Sequence, residues 1–255
     1  MAAACAVVGL GVGGVLTTVV ARVPDRRALF RPGPRCGDCD VAIARRDLVP
    51  LASWVGLGRR CRACRAPITV AYPLVEVGTA ALFAVAGVRF GATWVLVPFL
   101  VLFAFLVAVT AVDLIHYRIP DRLTFPTLAV SLPLIVAVSL IEGAPSAITT
   151  ALIGSLVYFT ILFIPHLISP QGMGFGDVKL ALVLGLFVGW LAPDWLLAVQ
   201  LVLFALVFGS VIGVVGGLVA MVARRRRGAF PFGPALAAGT VIVVLASNTI
   251  LAGYT

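Results

Sequence analysis

Charged residues are scarce in this chain of 255 residues, where they make up 11% of the sequence. An ordinary soluble domain has about 25% charged residues. This chain is 62% hydrophobic, so it lacks the polar surface that a water-facing globule of its size needs. A disordered chain is excluded as well, because such chains are poor in apolar residues. The acids are the scarcest charges, with 10 Asp and Glu against 19 Lys and Arg, so the composition indicates a basic membrane protein.

Long apolar runs account for most of the chain. A helix that crosses a membrane needs about 20 predominantly apolar residues. Eight runs qualify or nearly qualify, and they are continuously apolar rather than alternating, which favours helices over a barrel. We therefore predict an all-α polytopic membrane protein with about eight transmembrane helices. The predicted spans are 4–20, 72–88, 94–112, 125–141, 147–168, 178–191, 195–222 and 234–251.

Basic residues fall almost entirely in one set of alternate loops of this arrangement. That set holds 18 of the 19 Lys and Arg, including the run 224–227, and only Arg89 lies on the other side. The positive-inside rule then places these loops in the cytoplasm and both termini outside. Because the basic excess serves as an orientation signal, the expected partner is the lipid bilayer, with no nucleic acid.

One sizeable polar segment interrupts the apolar runs and divides the chain into three predicted parts. Residues 1–23 form the first transmembrane helix, 24–70 a small cytoplasmic domain, and 71–255 a seven-helix membrane-embedded domain. A domain of about 45 residues buries little core, so some staple is expected in it.

Glycines cluster in the stretch GLGVGG (9–14), inside the first apolar run. A dinucleotide-binding fingerprint requires a preceding strand and a following helix, and an uninterrupted apolar run provides neither. We therefore interpret these glycines as a close-packing face of the first helix.

Four of the five cysteines supply a candidate staple for the polar segment. Cys36 and Cys39 form one C-x2-C pair, Cys61 and Cys64 form a second, and 21 residues separate the pairs. Two such pairs provide four thiolates, the ligand set of a closed, structural Zn2+ site. We predict a zinc-ribbon-like domain that binds Zn2+ through these residues. Redox-active C-x-x-C pairs and free thiols are the alternatives, and a membrane thiol-redox protein is the rival function.

Two aspartates stand at the ends of predicted spans on the same, cytoplasmic side. Asp113 ends the third span, and Asp177 opens the sixth. Two close carboxylates can share one proton, because like charges resist ionising together. Such a pair can activate a water and protonate a peptide carbonyl, which points to aspartic peptide hydrolysis. The alternative is that each acid caps a helix end or pairs with Lys179 or Arg118.

Residues near these aspartates and near the polar segment are candidates for supporting or substrate-binding roles. They are Gly174, Gly176, Lys179, Glu76 and His116. The two glycines allow a close backbone approach beside Asp177. Glu76 opens the second span, where it is expected to pair with a loop arginine or to point into the site. Asp121 follows Ile119-Pro120 and is predicted to be a helix N-cap.

Taken together, these motifs resemble the bacterial type IV prepilin peptidases, which are membrane-embedded aspartic proteases of the GxGD type. The resemblance covers most of the chain. The matching pieces are GGVLTTVVARVP (13–24), CGDC (36–39), LVPLASWVGLGRRCRACRAPITVAYPLVEV (48–77), DLIHYRIPDRLTFP (113–126), GMGFGDVKL (172–180) and PFGPALAAG (231–239). The chain departs from the family pattern at Gly37, where proline is usual, and in GGVLTT, which lacks the usual asparagine.

This resemblance implies an activity, a location and a second cofactor. It implies that Asp113 and Asp177 are the two catalytic residues. It implies cleavage of the short basic leader of type IV prepilins or pseudopilins at the cytoplasmic face of the bacterial inner membrane. It also implies N-methylation of the new amino terminus with S-adenosylmethionine, an activity linked to the large cytoplasmic loop that this chain retains.

Overall fold

The computed structural model describes residues 1–24, 28, 33–170, 172–224 and 231–253. Within these ranges the chain is helical and has no β-strand, which confirms the all-α prediction. The helices are α1 (Ala2–Arg22), α2 (Ala52–Gly56), α3 (Ala71–Phe90), α4 (Leu96–His116), α5 (Asp121–Ile141), α6 (Ser146–Ile168), α7 (Phe175–Trp190), α8 (Trp195–Arg224) and α9 (Gly233–Ala252). A short 3-10 helix, Arg45–Leu48, precedes α2.

Seven of the described helices are long and apolar enough to cross a membrane, namely α1, α3, α4, α5, α6, α8 and α9. The remaining predicted span corresponds to α7, which is apolar but has only 16 residues. At 1.5 Å per residue, its length is about 24 Å. The chain is therefore a multi-pass membrane protein. The basic run 224–227 is predicted to lie in a cytoplasmic loop, and its residues 225–227 lie outside the described ranges.

The chain folds as two compact units, Met1–Leu96 and Val97–Thr255. In the first unit, glycines let α1 pack closely against α3. A Cβ atom added to Gly9 would lie 2.7 Å from Cα of Ala80, and one added to Gly13 would lie 2.7 Å from Cα of Glu76. Real Cβ atoms do not approach backbone this closely, so the two helices need glycine at these points. The close-packing interpretation of the stretch 9–14 is confirmed at Gly9 and Gly13, whereas a Cβ at Gly11 would meet nothing within 4 Å.

Replacing Gly13 with alanine is expected to destabilise the protein by about 1–3 kcal/mol, because the added methyl group overpacks against the backbone of α3. Gly11→Ala is the matched control, since a Cβ there meets nothing within 4 Å on the same helix. Thermal unfolding in detergent should show a lower midpoint for Gly13→Ala and an unchanged or higher one for Gly11→Ala. Equal midpoints would contradict the close packing.

In the second unit, α7 occupies the central position. Its residues from Val178 to Trp190 are nearly all buried, and it packs against α5, α6, α8 and α9. It also contacts α4, because Phe99 packs on the rings of Phe187 and Trp190 with centroids 5.5 and 5.6 Å away. Helix α7 is therefore the core helix of this unit.

Two side-chain hydrogen bonds tie α7 to its neighbours. The Ser155 hydroxyl of α6 donates to the Leu182 carbonyl at 2.8 Å. The Trp190 Nε1–H group donates to the Ser139 hydroxyl of α5 at 2.9 Å. Pairing of these buried donors contributes to the stability of the packing, since an unpaired donor in an apolar interior is costly.

Candidate active site and candidate metal centre

Asp113 lies in the last turn of α4 and is 4% exposed. Its Oδ2 accepts a hydrogen bond of 3.0 Å from the N–H group of Gly233, the first residue of α9. This satisfies one of the N–H groups that a helix leaves free at its start. A Cβ on Gly233 would lie 2.8 Å from the same oxygen, so only glycine lets the carboxylate come this close.

Asp177 lies in the first turn of α7 and is half-buried. Its backbone N–H donates to the Gly174 carbonyl at 3.1 Å, and a Cβ on Gly174 would lie 3.5 Å from its Oδ2. Asp177 therefore has a carboxylate that lies close to the Gly174 backbone and accepts no hydrogen bond among the described residues.

Ile119 connects the two aspartate-bearing elements. Its side chain is 8% exposed. A Cβ on Gly176 would lie 3.1 Å from Ile119 Cβ, and one on Gly233 would lie 3.1 Å from Ile119 Cδ1. The same side chain therefore packs beside the start of α7 and beside the start of α9. Because the start of α7 bears Asp177 and the start of α9 binds Asp113, the structure brings the two aspartates to one region of the unit.

Lys179 pairs with Asp121, not with either of these carboxylates. Its ammonium group also lies 5.8 Å from the ring centre of Phe125 and 5.2 Å from that of Phe175. The prediction that Asp121 is an N-cap is wrong. Helix α5 begins at Asp121 with Pro120 as its N-cap, and the carboxylate binds the Lys179 cation because a charged partner lies within reach.

Sequence reasoning missed His166, near the end of α6. Its Nδ1 lies 2.9 Å from the Met173 carbonyl oxygen, and its ring centre lies 5.1 Å from that of Phe175. One signal was available, since it is one of only two histidines in the chain. The other, His116, was predicted as a supporting residue and lies half-buried as the last residue of α4.

Glu76 belongs to the first unit, on α3, and is 9% exposed. Its Oε2 accepts a hydrogen bond of 2.8 Å from the Leu51 N–H. Leu51 has a φ of 58°, in the left-handed region that few residues other than glycine adopt. None of the described arginines pairs with Glu76. The carboxylate thus anchors a strained turn that precedes α2.

The two C-x2-C pairs fold as two equivalent turns. The Cys36 N–H donates to the Val41 carbonyl at 3.0 Å, and the Cys61 N–H donates to the Ala66 carbonyl at 2.8 Å. In each turn, the residue four positions after the first cysteine has a positive φ, 54° and 61°. Isolated antiparallel bridges, Arg35 with Ala42 and Arg60 with Pro67, close both turns. Each turn therefore presents two sulfurs with the same backbone geometry.

The four sulfurs of these turns form one cluster. One sulfur each from Cys36, Cys39, Cys61 and Cys64 lie within 4.8 Å of one another, so the group could hold a metal ion. The cysteines are unbridged. Backbone N–H groups of Cys64 and Ala63 lower the pKa of the Cys61 thiol to about 7, which favours a thiolate there. A backbone hydrogen bond from Ala66 lowers the pKa of the Cys64 thiol, but burial and the neighbouring sulfurs together raise it to about 12.

A side-chain ion pair ties the second turn to the 3-10 helix. Arg62 donates to both carboxylate oxygens of Asp47. Its Nε lies 2.9 Å from Oδ2, and its Nη2 lies 2.7 Å from Oδ1. The hydrogen bond from Arg62 holds the pKa of Asp47 below its usual range. The bidentate geometry fixes the orientation of both side chains.

The chain matches two family models. Residues 7–90 match the bacterial peptidase A24 N-terminal domain, and residues 100–218 match the type IV leader peptidase family. No solved structure matches significantly.

Proteins named prepilin leader peptidase/N-methyltransferase are similar to this chain, and three of them illustrate the range. The protein from Myxococcus xanthus is 35% identical over 87% of this chain and 64% of its own length. The protein from Stutzerimonas stutzeri is 32% identical over 89% of this chain and 76% of its own length. The protein from Bacillus subtilis is 31% identical over 96% of this chain and 94% of its own length. With both parts of the chain matched and the Bacillus relative covered almost from end to end, this chain belongs to the type IV leader peptidase family.

Proposed function

We propose that this protein is a membrane-embedded aspartic endopeptidase that removes the leader of type IV prepilins or pseudopilins, with Asp113 and Asp177 as its catalytic residues. The observation that carries the proposal is the packing of Ile119 against both Gly233, whose N–H binds Asp113, and Gly176, which directly precedes Asp177. The Asp177 carboxylate accepts no hydrogen bond among the described residues. Family membership and the names of the relatives support the same activity.

The proposed chemistry needs one proton shared by the two carboxylates. Asp113, whose carboxylate already accepts the Gly233 N–H, takes a proton from a water that attacks the peptide carbonyl carbon. Asp177 gives its proton to the carbonyl oxygen, and a tetrahedral diol forms. Its collapse breaks the C–N bond, the amine leaves with a proton from Asp113, and one hydroxyl proton of the diol returns to Asp177. The products are a leader carboxylic acid, which then loses its proton to solvent, and a free amino terminus, and the pair ends as it began.

The orientation of the protein in the membrane bears on how the substrate reaches the two aspartates. We place the cysteine domain and the two aspartates on the cytoplasmic side of the inner membrane, with both termini outside, because 18 of the 19 basic residues then face the cytoplasm. A basic leader followed by an apolar helix would lie at the same boundary.

The cysteine cluster is proposed to hold a structural Zn2+. Four thiolates in two equivalent turns match the ligand set and closure of structural zinc sites, and a bound ion would staple a segment that has little core.

The relatives' names include N-methyltransferase, so S-adenosylmethionine-dependent methylation of the new amino terminus is proposed as a second activity. A thiol-redox function is not favoured by these comparisons.

The activities are tested with purified protein in detergent and a peptide that carries a short basic leader before an apolar helix. Mass spectrometry should detect a single cut at the end of the leader. With S-adenosylmethionine present, the new first residue should gain about 14 Da, because a methyl group replaces one hydrogen. An intact peptide would refute the peptidase, and a cut but unmodified product would refute the methylation alone.

A further inference from the structure

We propose that His166 is a positioning residue for Asp177 and acts through the peptide group that joins Met173 to Gly174. The proposal rests on the peptidase function described above. His166 lies in the last turn of α6 (Ser146–Ile168), seven residues before Met173. Its Nδ1 is 2.9 Å from the Met173 carbonyl oxygen, across the connection between α6 and α7.

The partner of His166 determines where its ring carries a proton. A carbonyl oxygen only accepts hydrogen bonds, so Nδ1 must be the donor. The neutral ring protonated at Nδ1 and the imidazolium both donate from this atom. The contact is therefore the same in both charge states, and it serves to hold backbone rather than to sense pH.

The held carbonyl lies next to the residue that supports Asp177. The Met173 carbonyl and the Gly174 N–H belong to one planar peptide group. Gly174 is the N-cap of α7, in an extended conformation with φ −66° and ψ 134°. A Cβ atom added to Gly174 would lie 3.5 Å from Asp177 Oδ2. Fixing this peptide plane thus fixes the backbone against which the Asp177 carboxylate lies.

His166 also holds the other neighbour of Gly174. Its ring centre lies 5.1 Å from that of Phe175, with the planes inclined by 35°. Phe163, one turn earlier on α6, lies 6.4 Å from both rings. Helix α6 therefore holds Met173 by a hydrogen bond and Phe175 by ring packing. Ring packing alone would be enough for a histidine that only fills space, so the hydrogen bond to Met173 points to a further role.

Two substitutions separate the hydrogen bond from the packing. His166→Phe keeps a flat ring against Phe175 but cannot donate, whereas His166→Asn places an amide N–H group near the position of Nδ1. Misplacing a catalytic group by about 1 Å can cost about a hundredfold in rate. We expect His166→Phe to lower kcat about 10- to 100-fold with KM little changed, and His166→Asn to stay within about threefold of wild type.

Ser155→Ala is the matched control. Ser155 also joins α6 to a backbone carbonyl of α7, that of Leu182 at 2.8 Å, but it contacts neither Gly174 nor Asp177. Its loss should leave kcat unchanged, although it removes an interhelical hydrogen bond. Thermal unfolding midpoints identify variants that do not fold, and His166→Leu replaces His166→Phe in that event.

The outcomes distinguish this proposal from the peptidase function itself. An inactive wild-type protein would refute the peptidase function. An active wild type with unchanged kcat in folded His166→Phe would overturn only the role of His166. An equal fall in kcat for Ser155→Ala, or no rescue by folded His166→Asn, would overturn it too. Loss in His166→Phe, rescue by His166→Asn and an unaffected Ser155→Ala would establish it.

Discussion

Replacing either Asp113 or Asp177 with asparagine is expected to lower the rate of leader cleavage about a thousandfold or more, because each variant loses a proton-transfer group. Asparagine keeps the shape of the side chain, and at position 113 its amide oxygen can still accept the Gly233 N–H. The fold should survive and the loss should appear in kcat. Initial rates on the leader-bearing peptide measure it.

Asp194→Asn is the matched control for these variants. Asp194 is an aspartate at the start of α8, where its Oδ1 accepts the Leu197 N–H at 2.9 Å. Asparagine caps a helix as well as aspartate does, so this variant should cleave at the wild-type rate. A folded Asp113→Asn or Asp177→Asn enzyme that keeps more than about a tenth of wild-type activity would rule that residue out as an acid or base.

Replacing Cys36 and Cys61 together with serine is expected to abolish zinc binding and to unfold the cysteine domain. Each turn loses one of its two sulfurs, and a structural zinc ion contributes about 10–16 kcal/mol to a small domain. Elemental analysis should find about one zinc ion per wild-type chain and almost none in the double variant. Limited proteolysis should then cut the variant within residues 33–70.

Cys5→Ala provides the matched control, since Cys5 is a buried cysteine of α1 outside the cluster. Its zinc content and protease resistance should equal those of wild type. A wild-type protein that contains no metal after growth with zinc, and that forms a reversible disulfide between Cys36 and Cys39, would instead support a redox role for the pairs.

The helices were predictable because hydropathy acts over a local window of sequence. Among the described residues, the apolar runs identified the seven long helices and the shorter α7, and the observed ends differ mainly where polar residues form a first or last turn. Helix α5 starts at Asp121 rather than at Phe125, since Asp121 and Arg122 lower the hydropathy of that turn without preventing a helix. The short α2 contains only five residues and produces no periodic signal.

The candidate site was predictable in its acids and in the two glycines beside Asp177, but not in its other partners. Asp113 and Asp177 were singled out because acids at the end of an apolar run are costly and few. The Gly233 N–H that binds Asp113 lies 120 residues away, and such a partner follows from packing rather than from spacing. His166 lacked a recognisable motif for the same reason. Its partner is a backbone carbonyl, which any residue supplies.

The most direct test of the account is a double-mutant cycle on Asp113 and Asp177. Cleavage rates are measured for wild type, each single asparagine variant and the double variant, with long incubations and mass spectrometry for the slow enzymes. Residues that act as one catalytic unit are strongly non-additive. The account predicts a double variant within about threefold of the slower single variant. A double variant slowed by the product of the two single effects would contradict a shared-proton pair.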